Sequence, residues 1–353
     1  MSADITALAR PDIRALEAYV PASYAPGLVR LNANEAPWRS SADATERGLN
    51  RYPEARPGAL TQTLAAHYGV PADDLFVTRG TSEAIDLLIR CFCRPGQDDI
   101  VICPPTFGMY AVYANIQAAG IREIPLEDGF TLPVEAILSA WQDTTRLVFV
   151  TTPNNPTGNA FDTADIERLV RGLEGRGIVV IDGAYLEFAD PAAAMALRRY
   201  ENVVVLRTLS KAYGLAGARC GSLIADPAVI ALVTKVMPPY AVPTPSVECA
   251  LVALANEQFE VMPGRIRALT DERVRVAASL ADMPITVRVL PSDANFLLVQ
   301  FLDPQRVLDA AAAAGLLLRD FSAQVATRDC LRITIGTEAQ NDRLLAALTE
   351  LTA

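Results

Sequence analysis

The chain has 353 residues, 51% hydrophobic and 20% charged, enough to bury a large core in two lobes. Its net charge is −10, from 31 basic and 41 acidic residues, and no Lys/Arg cluster stands out, which argues against a nucleic-acid partner. A local basic site for small anions is still compatible with that balance.

The first ten residues lack a basic start followed by an apolar core, so no secretory leader is expected. No apolar run reaches the ~18 residues of a membrane span, so no membrane partner is expected. Cys91, Cys93, Cys103, Cys220, Cys249 and Cys330 are dispersed, without ligand-pair spacing, and point to a reducing, cytoplasmic setting. Residues 61–69 read as an amphipathic helix closing on Gly69, and they hold the single histidine, His67. One helical histidine gives no basis for a Ser-His-Asp site or a His-rich metal site, and no metal is expected.

From about residue 60 to 225 strand and helix alternate. Strands are expected at 75–78, 100–103, 146–150, 178–181 and 203–206, and helices at 82–92, 107–118 and 163–173. The strands are near-continuously apolar, as a parallel sheet covered on both faces requires. The Pro-rich stretch 238–245 reads as a hinge. Helices at 246–260 and 265–281 follow. Strands at 286–290 and 296–299, a helix at 304–314, a strand at 331–335 and a last helix make a smaller α+β lobe.

The junctions of this pattern carry the candidate chemistry. At the first, Arg79-Gly-Thr-Ser-Glu83, Gly80 permits a tight turn and Thr81 or Ser82 caps the helix. Free N–H groups there make an anion site. Phe107 follows the strand 100–103, where an aromatic side chain can lie on a flat ring or simply pack in the core. Asn155, held between prolines in Pro153-Asn-Asn-Pro-Thr-Gly158, has a fixed direction suited to a ring oxygen; an ordinary Asn-Pro turn is the alternative. Asp182 ends the strand 178–181, with Tyr185 three residues on. A carboxylate there can keep a pyridine nitrogen protonated, or it can cap a helix.

The segment Thr208-Leu-Ser-Lys-Ala-Tyr-Gly-Leu-Ala-Gly-Ala-Arg219 is the most specific. Lysine forms Schiff bases with carbonyl cofactors. Thr208, Ser210 and Arg219 can hold a phosphate beside Lys211. Aldehyde chemistry next to phosphate anchoring points to pyridoxal 5'-phosphate. Arg332, in an apolar strand, needs an anionic partner, either a structural acid or a substrate carboxylate or phosphate.

Asn155, Asp182, Tyr185, Lys211 and Arg219 occur in the order and spacing of the fold-type I pyridoxal-phosphate aminotransferases, which the chain resembles. Within them it is similar to the histidinol-phosphate aminotransferases. That similarity rests on Leu31-Asn-Ala-Asn-Glu35, Arg51-Tyr-Pro-Glu54, Arg79-Gly-Thr-Ser-Glu83, Pro104-Pro-Thr-Phe-Gly-Met-Tyr110, Asn155-Pro-Thr-Gly158, Arg207-Thr-Leu-Ser-Lys211 and Leu331-Arg-Ile-Thr334.

The resemblance implies an α/β fold: a large domain with a mostly parallel central sheet flanked by helices, plus a smaller α+β domain. Residues 1–35 would form an arm joining the small domain, 36–240 the cofactor-binding domain and 241–353 the small domain. It also implies a homodimer with shared active sites. In it Tyr52 reaches the cofactor phosphate of the neighbouring subunit, and Tyr19, Asn34, Arg319 and Arg332 face substrate.

The reaction implied interconverts histidinol phosphate plus 2-oxoglutarate with imidazole-acetol phosphate plus glutamate. Alternatives on the same scaffold are an aromatic or broad-range aminotransferase and a decarboxylase of a phosphorylated amino acid. Three positions depart from the family pattern: Gly183 where Glu is frequent, Phe107 where Tyr is common, and Ser82 where an acidic residue is frequent.

Overall fold

A computed structural model of the chain describes residues 4–22, 28–256 and 261–351. The part of the expected helix 246–260 beyond residue 256 lies outside the described residues. The larger sheet takes β1 (Leu75–Thr78), β2 (Asp99–Ile102), β3 (Gly120–Glu123), β4 (Thr145–Thr151), β5 (Ile178–Asp182), β6 (Val203–Thr208) and β7 (Gly221–Ile224) in the order β1-β7-β6-β5-β4-β2-β3. The pairs β3–β2, β2–β4, β4–β5 and β5–β6 are parallel, while β7 runs antiparallel between β6 and β1.

Alternation within the apolar strands explains how two helical layers find the sheet. Val179 and Ile181 of β5 face one buried cluster, and Ile178 and Val180 face the other. The second cluster holds α3 (Thr81–Phe92), α4 (Met109–Ile116) and α8 (Pro227–Val236). It also takes Ile5, Leu8 and, partly buried, Ile13 from the start of the chain, near the short helix α1 (Pro11–Ala15). The first cluster holds α2 (Gly58–Tyr68), α5 (Val134–Ala140), α6 (Thr163–Gly172), α7 (Pro191–Ala196) and α9 (Thr244–Asn256). The sequence pattern placed α9 with the smaller lobe, but its Val247, Ala250 and Leu254 pack into this cluster beside α2. An apolar stripe shows that a helix face is covered without showing by which sheet.

The smaller sheet is antiparallel, in the order β10-β11-β9-β8, from β8 (Thr286–Val289), β9 (Phe296–Phe301), β10 (Arg319–Asp320) and β11 (Cys330–Thr334). One face is covered by α10 (Met262–Ala281), α11 (Pro304–Ala313) and α12 (Glu338–Thr349), through Val276, Leu280, Val307, Leu344 and Leu348. A separate cluster of Tyr185, Phe188, Ala294 and Phe296 joins the two sheets. The backbone reinforces that junction, since Asp293 N donates to Gly158 O at 2.8 Å.

Strand β7 was not legible, because it follows Arg219 and Cys220 with no turn signal between. Edge strand β3 is half polar with no buried residue, and gives little period-2 signal. Where β7 meets β1 the backbones are nearly in contact: a Cβ on Gly221 would lie 2.8 Å from the Gly80 backbone. Backbone cannot swing aside as a long side chain can. Gly221→Ala should therefore cost about 1–3 kcal/mol by overpacking. Gly217→Ala, with nothing within 4 Å of the added carbon, is the control. Denaturant unfolding of both variants checks this: equal midpoints would refute the close-approach account.

Candidate active site

Open parallel sheets bind ligands outside the carboxyl ends of their strands. Here β1 ends before Gly80, β4 at Thr151, β5 at Asp182 and β6 at Thr208. The turns that follow open into one cavity of about 610 Å³. Its wall includes Gly80, Thr81, Ser82, Phe107, Asn155, Asp182, Tyr185, Thr208, Ser210, Lys211 and Arg219 from the larger sheet's side, and Arg319 and Arg332 from the smaller sheet.

The helix N-terminus at this wall differs from the expected cap. Gly80 itself is the N-cap, at φ +81°, Thr81 is already helical, and no side chain caps α3. The open first turn thus faces the cavity with its dipole intact. Arg219 sits above it in the left-handed region, at φ +52°. Its guanidinium lies so close that a Cβ on Gly80 would come within 2.7 Å of Nη2. Thr208 Oγ1 donates to Ser210 Oγ at 3.0 Å, which sets the two hydroxyls side by side.

Lys211 projects into this space, with its Nζ 5.6 Å from the Tyr185 ring centre. Burial, and then the Arg332 and Arg219 charges, hold its amine below the usual lysine range, against a weaker pull from Asp182. The chain's other lysine, Lys235, is on α8 and donates to Arg14 O at 2.8 Å.

Asp182 is buried at the floor. It does not cap a helix of the expected kind; its Oδ1 accepts from Ala184 N at 3.2 Å, and its Oδ2 accepts from Tyr110 Oη at 2.7 Å. Burial pushes its carboxyl up, while Tyr110, Ala184 N–H and Lys211 pull it down. Burial also raises the Tyr185 phenol to about 12, so it stays a donor at neutral pH.

Arg332 meets no acid among the described residues. Its Nη1 donates to Asn155 Oδ1, and its guanidinium lies between the rings of Phe296 and Phe321, 5.2 and 5.3 Å from their centres. Of the two partners open to it in the sequence, no structural acid is present. Arg319 stands directly across the strand pair from it. Like charges opposite each other on a strand pair are unfavourable unless something anionic joins them.

The chain itself leaves three expected residues outside the cavity. Tyr19 and Tyr52 are exposed, at 67% and 53%, and Asn34 is also on the surface. Tyr52 stacks on Tyr240, with ring centres 4.8 Å apart. The sequence reading missed Thr106, Met109, Val112, Thr151, Phe321 and Gln324, which complete the wall. No local motif flags them; only the closure of the two lobes assembles them. The Gly183 departure has a steric counterpart: a Cβ there would meet Leu186 Cδ1 at 2.3 Å and Leu206 O at 2.8 Å.

The class I and II aminotransferase family model matches residues 29–348. The chain is 45% identical to the histidinol-phosphate aminotransferase of Stenotrophomonas maltophilia, over 98% of this chain and 97% of that protein. It is 44% identical to the enzyme of the same name from Xanthomonas campestris pv. campestris, over 98% of each. Among solved structures, histidinol-phosphate aminotransferase from Sinorhizobium meliloti in complex with pyridoxal-5'-phosphate has the same fold, with a TM-score of 0.78. It is 24% identical and is matched over 86% of this chain and 83% of that one.

The electrostatics of Lys211 can be measured without any ligand. In the cofactor-free protein, the pH at which Lys211 acetylates half-maximally should lie below the ordinary lysine value of about 10.4. Arg332→Gln should move that midpoint upward, because it removes a neighbouring positive charge. Peptide-resolved mass spectrometry reads both. An unmoved midpoint in the variant would show that the two charges do not sense each other.

Proposed function

The chain belongs to the class I and II aminotransferases, on the histidinol-phosphate aminotransferase branch, and we propose that it interconverts histidinol phosphate plus 2-oxoglutarate with imidazole-acetol phosphate plus glutamate, in histidine biosynthesis. One observation carries the reading. Lys211, Arg219, Arg319 and Arg332 converge on a cavity where Asp182 is the single carboxylate among the described lining residues. Such a charge excess calls for ligands with more than one anionic group.

The residues fit pyridoxal 5'-phosphate, which would supply an aldehyde and an electron-withdrawing ring. Lys211 would hold the aldehyde carbon. Arg219, Ser210, Thr208 and the N–H groups at Gly80, Thr81 and Ser82 would hold the phosphate. Asp182 would keep the ring nitrogen protonated, Asn155 and Tyr185 would hydrogen-bond the ring oxygen, and Phe107 would cover a ring face.

Lysine with a depressed affinity for protons suits a base, and Lys211 Nζ would move the proton to and from the substrate α-carbon. Arg332 would take the α-carboxylate of glutamate in one half-reaction and the phosphate of the amino alcohol in the other. Arg319, opposite it, would reinforce the phosphate.

The assembly we propose is a homodimer with shared sites. Leu28, Val29, Leu31, Trp38, Leu49 and Tyr52 are all more than half exposed, an apolar surface that a second copy would cover and from which Tyr52 would reach the neighbouring cavity. Tyr19 and Asn34 would face substrate from the same segment. The packing of α9 supports a larger lobe that runs to about residue 256 rather than 240. The setting assigned is cytoplasmic, in keeping with the free cysteines; among the described residues no helix is long and apolar enough to cross a membrane.

Substrate choice tests the reaction. Histidinol phosphate should exceed dephosphorylated histidinol by at least ~100-fold in kcat/KM, the loss of about two charge-assisted contacts. Arg332→Lys should impair both half-reactions, since an ammonium cannot bind either anion bidentately. Arg319→Ala should impair the phosphorylated amine more than glutamate. Phenylalanine or tyrosine outperforming histidinol phosphate would replace this reading with an aromatic aminotransferase.

Sharing of sites has its own test. Mixed dimers of Tyr52→Ala with Lys211→Ala should regain one intact site each, and so recover activity that neither parent has. No recovery after subunit exchange would place both residues in one site.

A further inference from the structure

From the cavity wall inward, behind its floor, runs a series of hydroxyl groups to which the proposed reaction assigns no direct role. Tyr110 is fully buried on α4, and its ring stacks on Phe149 with centres 4.6 Å apart. Phe107 meets it edge-on at 5.5 Å. The ring is thereby fixed, and its Oη reaches two partners: Asp182 Oδ2 at 2.7 Å and Thr151 Oγ1 at 2.6 Å. Thr151 Oγ1 also lies 3.3 Å from Thr106 Oγ1.

Counting protons gives this series a direction. A phenol has one hydrogen to donate. An ionised carboxylate only accepts, so Tyr110 donates to Asp182. Thr151 must then donate to Tyr110, whereas Thr106 Oγ1 donates its own hydrogen to Asn154 Oδ1 at 3.2 Å. Each donation polarises the next hydroxyl and strengthens the last bond in the chain. The order holds only if Tyr110 keeps its proton, and burial lifts its phenol well above the usual tyrosine range.

We infer that Thr151 and Tyr110 form a one-way hydroxyl relay that holds Asp182 as an acceptor-only carboxylate aimed into the cavity, with Tyr110 as the positioning residue through which the relay acts. The inference rests on the cofactor reading above and deepens it. Burial alone favours the neutral acid at Asp182. A neutral acid could not keep a ring nitrogen protonated by charge. Tyr110 opposes that tendency from outside the cavity wall, which it does not line, while Thr151 stands at the wall itself. The backbone contributes too: Thr151 and Asp182 are register partners on β4 and β5, which fixes the spacing that the Tyr110 hydroxyl bridges.

Lys211 and Tyr185 are the other titratable groups that face Asp182. A test must therefore alter the relay and leave both in place. Tyr110→Phe does so and keeps the ring. The readout is the pH midpoint of the visible absorbance band of the cofactor-loaded protein, together with kcat and KM for glutamate. Without the phenol, Asp182 binds a proton more readily and competes for the one on the ring nitrogen. A less electron-poor ring then lets the lysine-linked nitrogen keep its proton to higher pH.

The expected result is a midpoint raised by about one pH unit. Loss of a hydrogen bond to a charged group should also lower kcat about tenfold or more, with KM little changed. Thr151→Val should shift the midpoint in the same direction by less, and Thr151→Ser, which restores the hydroxyl, should return it. The Thr151 pair keeps the inference testable should Tyr110→Phe fail to fold.

A visible band in the wild type with midpoints unchanged in Tyr110→Phe and Thr151→Val would overturn the relay and leave the cofactor reading intact. A wild type that forms no visible band with pyridoxal phosphate would overturn both.

Discussion

Uncompensated positive charge is the constraint on which this site depends. The protein as a whole is acidic, at −10, yet Lys211, Arg219, Arg319 and Arg332 line one cavity with Asp182 as the single carboxylate among its lining residues. Two of those arginines face each other across a strand pair. Another is held with its backbone in the left-handed region. Cations crowded together with one carboxylate among the described lining residues repel one another, and an anionic ligand relieves that repulsion on binding. The depressed basicity of Lys211 follows first from its burial and then from the same crowding of charge. Anion recognition and a reactive amine are thus one arrangement of charge.

The fold creates that arrangement by bringing chain ends and turns together. Strand ends of the larger sheet supply Thr151, Asp182 and Thr208 at one edge. The antiparallel β7 brings Arg219 back to the same edge beside Gly80, whose backbone at φ +81° is one that glycine adopts without strain. Facing it, the smaller sheet supplies Arg319 and Arg332, and the Arg332 bond to Asn155 ties the two sides together across the cavity. The aromatic junction of Tyr185 and Phe296 lies beside that bond, with the Phe296 ring centre 5.2 Å from the Arg332 guanidinium. The anion site is therefore complete only where the two sheets meet.

Much of this was legible in the sequence where the signal is local. Lys211, Asp182 and Asn155 each follow an apolar strand within a few residues, so strand pattern and residue chemistry can be read together. Arg332 was legible as a buried charge in search of an anion. Tyr110 was not, because its partner Asp182 is 72 residues away and the contact depends on how β2, β4 and β5 line up. Phe321 and Gln324 reach the wall only through the small sheet's placement. The allegiance of α9 was misread for a related reason: its apolar face is evident in the sequence, but the surface that covers it is set by the tertiary fold.

Trapping the amine tests the central claim most directly. Pyridoxal phosphate is added to the protein, the product is reduced with borohydride, and its peptides are mapped. The chain has two lysines, so the experiment has a built-in control. The account predicts one label per chain, on Lys211, lost when Arg219 is replaced by a neutral residue at limiting cofactor. Labelling of Lys235 in place of Lys211 would contradict it.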